Sequence, residues 1–256
     1  MRKALAVLSP VILVLTATGA QAAEQPEHGF FLTNSPAGGR AQHVFHFGRF
    51  TDEVLVGDWD GDGRDSVAVR RGSTVYLTNN PAGGPAQTVL SYGRAGDEVL
   101  VGDWDGDGDD TLAVRRGNVY HLKNTLTGGA ADEVRTLGRA SDEIVIGDWN
   151  ADGRDTVVWR AEGGALLCLI NSWGGATHAD WAFTYGRAGD HLIVGDWDGD
   201  GFDTIGVRRG AGHYLTDSMA GGPAQRVVVY GRSSDEVIIG DWDGDGVDTL
   251  GVRRAP

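Results

Sequence analysis

Seven residues, Gly57-Asp58-Trp59-Asp60-Gly61-Asp62-Gly63, recur with identical spelling from Gly102, Gly195 and Gly240. A fifth copy, Gly-Asp-Trp-Asn-Ala-Asp-Gly, begins at Gly147. The first aspartates, Asp58, Asp103, Asp148, Asp196 and Asp241, stand 45, 45, 48 and 45 residues apart. Self-similarity at a fixed period of this size marks an array of one supersecondary unit. No single copy can bury its own apolar face, so the fold is decided by how copies pack on one another.

The unit is clearest around the second copy. Thr74-Val75-Tyr76-Leu77-Thr78-Asn79 reads as a short strand, and Asn80-Pro81-Ala82-Gly83-Gly84-Pro85 as a turn. Residues 86–92 form a second strand closed by Gly93-Arg94, and residues 98–104 a third, rich in β-branched side chains. After the Asp-Gly loop, Thr111-Leu112-Ala113-Val114-Arg115-Arg116 is a fourth. No stretch beyond the N-terminal segment sustains a helical period.

Four antiparallel strands per unit is the content of one β-propeller blade. The sequence therefore predicts an all-β chain: a β-propeller built from five four-stranded repeats of about 45 residues, giving five blades. The repeats run at about 30–72, 73–117, 118–162, 163–210 and 211–256. A nonapeptide β-helix has a far shorter unit and would not space the loops this way. Two closures of the ring are open: each repeat forms one blade, or the two termini share a blade.

The loops carry the chemistry. Counting from the first Asp, positions 1, 3, 5 and 8 are Asp58, Asp60, Asp62 and Asp65 in the first unit, and Asp103, Asp105, Asp107 and Asp110 in the second. They are Asp148, Asn150, Asp152 and Asp155 in the third, Asp196, Asp198, Asp200 and Asp203 in the fourth, and Asp241, Asp243, Asp245 and Asp248 in the fifth. Alternate carboxylates in a tight turn aim at one point, and Gly at position 6 permits the bend, as in the front half of an EF-hand-type loop. Two carboxylates about 4 Å apart at an effective dielectric near 20 repel by roughly 4 kcal/mol, so the loops either splay or hold a divalent cation. Hard oxygen donors favour Ca²⁺ over Zn²⁺. Up to five structural Ca²⁺ sites are expected, each adding about 1.4 kcal/mol at ten-fold saturation. The third loop, with Asn150 and Ala151, is the weakest.

These five in-register loops, each followed by a strand like Thr249-Leu250-Gly251-Val252, resemble the FG-GAP/VCBS repeats of integrin-α-type β-propellers in their secreted bacterial form. The resemblance covers nearly all of residues 30–254. It implies Ca²⁺ held through positions 1, 3 and 5, a carbonyl at 7 and an acid at 9. Here position 9 is Ser66, Thr111, Thr156, Thr204 or Thr249 and the acid stands at 8, which leaves open what completes each site.

The chain opens on Arg2 and Lys3, an apolar run over 4–15 and Ala20-Gln21-Ala22, the three-part form of a secretory signal peptide (residues 1–22) cleaved before Ala23. The run is too short for a membrane span, and a short segment, 23–29, leads into the repeats. Net charge is −14, and −16 once Arg2 and Lys3 are removed. Such a surface repels nucleic acid and anionic membranes. Cys168, alone in its type, lies in the apolar run 165–170 and reads as a small buried hydrophobe.

Several repeated residues have two readings. Trp59, Trp104, Trp149, Trp197 and Trp242, at position 2, are blade packing or a ring of sugar platforms. The Arg pairs, such as Arg70-Arg71, are salt-bridge partners for the Asp-rich turns or an anion site. A unique site has to break the five-fold pattern, and the fourth repeat does so. It is three residues longer, carries Trp173, His178, Asp180 and Trp181, and has His191 where every other unit has Glu. These observations predict a secreted, monomeric, non-catalytic calcium-binding module for an extracellular glycan or protein, with Trp173, His178, Asp180 and Trp181 as candidate ligand contacts. The alternative is a propeller glycosidase or lyase with its site in the same repeat, which needs two carboxylates about 5–10 Å apart.

Overall fold

A computed structural model describes residues 29–256 except 81–82, 162–163 and 175–177. The proposed signal peptide lies outside the described residues. In chain order the strands are β1 (Gly29–Leu32), β2 (His43–Phe45), β3 (Glu53–Gly57), β4 (Ser66–Arg71), β5 (Thr74–Leu77) and β6 (Thr88–Ser91). Next come β7 (Glu98–Gly102), β8 (Thr111–Arg116), β9 (Val119–Leu122), β10 (Glu133–Thr136), β11 (Glu143–Gly147), β12 (Thr156–Arg160), β13 (Leu166–Leu169) and β14 (Trp181–Thr184). The last six are β15 (His191–Gly195), β16 (Thr204–Arg209), β17 (Gly212–Leu215), β18 (Arg226–Val229), β19 (Glu236–Gly240) and β20 (Thr249–Arg254).

They form five four-stranded antiparallel sheets, the blades of a five-bladed β-propeller. Blades I to IV are β3–β6, β7–β10, β11–β14 and β15–β18. Blade V has the order β19-β20-β1-β2, so the two ends of the chain share it. Phe31 pairs with Val252 and Gly29 with Arg254, which ties the ring shut through backbone hydrogen bonds. Each blade thus takes its inner two strands from one sequence unit and its outer two from the next. The strands β3, β7, β11, β15 and β19 contact one another around the axis.

Burial follows position in the blade. The second strand is covered on both faces: Val67, Ala68 and Val69 of β4 are all at most 2 % exposed. The outermost strands alternate, as Val227 and Val229 of β18 face solvent while Val228 faces inward. The cores lie between blades rather than within them. One joins Leu55, Val75 and Leu77 of blade I to Leu112 and Val114 of blade II. Another joins Leu167 and Phe183 of blade III to Ile205 and Val207 of blade IV. A blade is therefore stable only with its neighbours in place.

Candidate functional site

Each Asp loop connects the innermost strand of a blade to the second. Its first carboxylate organises the turn: Asp58 Oδ2 accepts from Gly63 N at 2.7 Å and Asp241 Oδ2 from Gly246 N at 2.7 Å. Position 6 sits in the left-handed region, with φ between +78° and +95°, as the sequence requires of its Gly. Position 4 does the same. There Ala151 stands with φ +56°, the one non-glycine with positive φ among the described residues.

Three carboxylates converge in four of the loops. Oxygens of Asp58, Asp60 and Asp62 lie within 4.8 Å of one another, as do those of Asp103, Asp105 and Asp107, of Asp196, Asp198 and Asp200, and of Asp241, Asp243 and Asp245. In the third loop the amide of Asn150 donates to Asp152 Oδ2 at 3.0 Å, closing the turn with no third carboxylate. These four clusters could hold metal ions.

A neighbouring residue joins the loops that the sequence reading did not include. Asn34 Nδ2 donates to Asp243 Oδ2 at 2.9 Å, and Asn79 Nδ2 donates to Asp60 Oδ2. Asn124 hydrogen-bonds Asp105, whose carboxyl is nevertheless raised by burial and by Asp107 and Asp103. The signal was present: Asn34, Asn79, Asn124 and Asn171 recur two residues after a leucine, with Asp217 in the same place in blade IV. Oδ1 of Asn34 and Asn124 is buried without a donor. Oxygen-rich clusters with undonated amide oxygens beside them fit a hard cation, with the Asp at positions 1, 3 and 5 as its holders.

The position-8 aspartates turn away from these clusters to the adjacent blade. Asp110 Oδ2 accepts from Asp58 N at 2.9 Å, Asp155 Oδ2 from Asp103 N at 2.9 Å, and Asp203 Oδ2 from Asp148 N at 2.8 Å. Asp248 serves Asp196, and Asp65 serves Asp241, both at 2.8 Å. Burial raises the carboxyls of Asp110 and Asp203 to about 7. Burial, then repulsion from the neighbouring members of the ring, raises Asp65 and Asp155 well above the carboxylate range. The same approach explains the Gly before each motif. A Cβ on Gly57 would stand 2.7 Å from Asp110 Oδ2 and 2.8 Å from Val101 Cγ1.

The position-2 tryptophans are packing residues, each 2–6 % exposed, which removes them as sugar platforms. The arginine pairs do form salt bridges, but at the other end of the blade from the Asp loops. Arg70 pairs with Glu53 at 2.8 Å and Arg71 with Asp52 at 2.6 Å. Arg116–Asp97, Arg209–Asp190 and Arg254–Asp235 repeat the second pair.

The four asymmetric residues of the fourth repeat have separate fates. Trp173 points into the interface of blades II and III, edge-on to Trp104, with Nε1 donating to Asp155 O at 2.8 Å. Asp180 Oδ2 accepts from Asn171 N at 2.8 Å. That contact is a five-fold clasp, made by Gln42 to Asn34 N, Gln87 to Asn79 N, Asp132 to Asn124 N and Gln225 to Asp217 N. His178 is exposed. Trp181 is 57 % exposed, with Nε1 tied to Met219 O at 3.0 Å. It flanks an open groove of about 420 Å³ lined by Trp149, Leu169, Asn171, Asp180, Met219 and Ala220. Cys168 is partly exposed on β13, and burial raises its thiol.

Fold and loops together define a five-bladed propeller with one acidic turn per blade. No family model matches the sequence, and no curated protein matches it. Among solved structures it is similar to BBS1N in complex with ARL6DN, at 11 % identity and a TM-score of 0.42, over 83 % of this chain and 62 % of that one. The chain thus spans less than two thirds of that protein. It is also similar to an Agrocybe aegerita lectin described as recognising non-reducing terminal N-acetylglucosamine, at 18 % identity and a TM-score of 0.44, over 89 % of this chain and 72 % of the lectin. Neither similarity bears on what this chain binds.

Proposed function

We propose that this is a secreted, non-catalytic binding module of the FG-GAP/VCBS type, stabilised by Ca²⁺ in its Asp loops and directed at an extracellular glycan. The observation that carries the reading is Trp181. A large aromatic face is left exposed, its indole N–H is already engaged, and it stands beside Asn171 and Asp180 in an open groove. A fixed apolar plate next to hydrogen-bonding groups suits the apolar face and hydroxyls of a sugar ring. The groove lies where the fourth repeat departs from the others, as a unique site requires. Ca²⁺ rests on the convergent carboxylates, and its part is to neutralise four loops that otherwise repel themselves. The N-terminal motif of residues 1–22 supports export.

The test is a glycan array followed by calorimetry on the strongest binder, with Trp181→Ala in parallel. We expect saturable binding that Trp181→Ala weakens at least about tenfold while the melting temperature hardly changes, since the ring is mostly exposed. Equal binding by the variant, or an array without signal, overturns the reading.

A further inference from the structure

The end of the ring opposite the Asp loops carries a second five-fold pattern with one member missing. The first residue of each innermost strand stands directly opposite an arginine of the second strand: Glu53 opposite Arg70, Glu98 opposite Arg115, Glu143 opposite Arg160 and Glu236 opposite Arg253. All four are ion pairs. In blade IV the strand begins with His191, opposite Arg208.

Arg208 keeps the anchoring that its counterparts have. Arg70 donates to Arg94 O at 2.7 Å and Asp97 O at 2.9 Å. Arg208 donates likewise to Arg232 O at 3.1 Å and Asp235 O at 2.7 Å. Both bonds leave from Nη2, which also reaches Ser233 O at 3.3 Å, and Nε, which pairs with Glu in blades III and V, here donates to Gly210 O at 2.8 Å. Among the described residues no carboxylate pairs with Arg208, and Nη1 is the nitrogen that the carbonyls leave free. The acid nearest in charge, Asp235, spends both oxygens on Arg254. Burial lowers the Arg208 pKa, with the charge of Asp235 opposing it. His191 is exposed and stands opposite Arg208, at the register position that Glu holds in the other four blades.

We propose that the notch formed by Arg208 and His191 binds the carboxylate of a small ligand, in the place that the other four blades fill with their own Glu. The carbonyls fix the guanidinium and leave Nη1 to donate a charge-assisted hydrogen bond to a carboxylate, and the His191 ring supplies an additional N–H. The flanking Glu143 and Glu236 and the net charge of −14 disfavour polyanions, so the site selects a single small carboxylate such as a sugar acid. The notch lies at the far end of blade IV from the Trp181 groove and stands independently of it.

The experiment titrates the intact protein with sodium glucuronate, sodium acetate and neutral glucose at constant ionic strength, followed by NMR. Both carboxylates are expected to saturate with a Kd on the order of 10 mM, and glucose not to bind. His191→Glu restores the ion pair of the other blades. It is expected to fold, to melt no lower than wild type, and to lose carboxylate binding by about tenfold or more. Arg208→Lys keeps the charge but loses the Nε and Nη2 bonds that fix the donor, and is expected to weaken binding. Undiminished binding by His191→Glu, a variant that melts below wild type, or no saturable binding of either carboxylate overturns the proposal.

Discussion

The carboxylate of Asp110 in blade II accepts the backbone N–H of Asp58 in blade I at 2.9 Å, while the Asp110 N–H donates to the Asp58 carbonyl at 2.7 Å. Five such reciprocal joints link the ring. The hydrogen bond needs only an oxygen acceptor, whereas a charge there is costly. Asp110→Asn keeps the shape and the acceptor and is expected to hold or raise stability at pH 8. Asp110→Ala leaves the Asp58 N–H without its acceptor and is expected to cost about 1–3 kcal/mol. Urea unfolding of the two variants separates shape from charge.

Because burial raises all five position-8 carboxyls on folding, Asp110 and Asp203 to about 7, the folded chain binds more protons than the unfolded one above the ordinary carboxylate range. Their contribution is fully present below the unfolded value and is lost as pH rises through the raised folded values, which for Asp110 and Asp203 are about 7. His213 works in the opposite sense. Burial pushes its ring down to about 4, so its contribution is lost as pH falls from the ordinary histidine range toward 4. Five carboxyls outweigh one imidazole, and the metal-free protein is expected to melt higher at pH 5 than at pH 8. Asp110→Asn should narrow that difference.

Gly57→Ala places a methyl 2.7 Å from Asp110 Oδ2 and forces the joint between blades I and II apart. A loss of about 1–3 kcal/mol is expected, as for other overpacked sites. A second-site Asp110→Ala change should recover part of it, and additive losses in the double mutant would count against the steric account.

If the four loops hold Ca²⁺, chelation is expected to lower the melting temperature and added Ca²⁺ to restore it. The third loop provides an internal control. Asn150→Asp with Ala151→Gly gives it the residues of the others and relieves a non-glycine φ of +56°. The double variant should show a larger chelator-dependent shift, by about 1.4 kcal/mol at ten-fold saturation of one added site. A shift equal to that of wild type would exclude a new site.

Asp180 makes a contact that Gln makes in three other blades. Asp180→Gln is therefore expected to leave folding intact, and Asp180→Ala to cost about 1 kcal/mol through the lost acceptor for Asn171 N. Equal losses in both would show that the charge of Asp180, rather than its oxygen, is what the turn needs.

Much of this architecture was legible in the chain. The period, the turn residues and the strand composition are local properties, so five units of four strands could be counted, and the glycines of each loop assigned to left-handed positions, without knowing any contact. The convergence of positions 1, 3 and 5 was legible for the same reason, since alternate residues of one tight turn must approach each other. The asymmetry at His191 was legible as a departure from pattern, although its partner Arg208 was not.

What the tertiary structure decided are relationships between residues far apart in sequence. Asp58 and Asp110 are 52 positions apart, and Asp241 and Asp65 are 176. No local rule assigns a position-8 carboxylate to the next blade rather than to its own loop. The shared blade V depends on β1 meeting β20, the opposite end of the chain. The burial of the position-2 tryptophans, and the exposure of Trp181 where Trp173 is packed, follow from which blade each ring meets. Period and turn chemistry act along the chain and are written in it. The joints between blades act across it, and only closure of the ring brings their partners together.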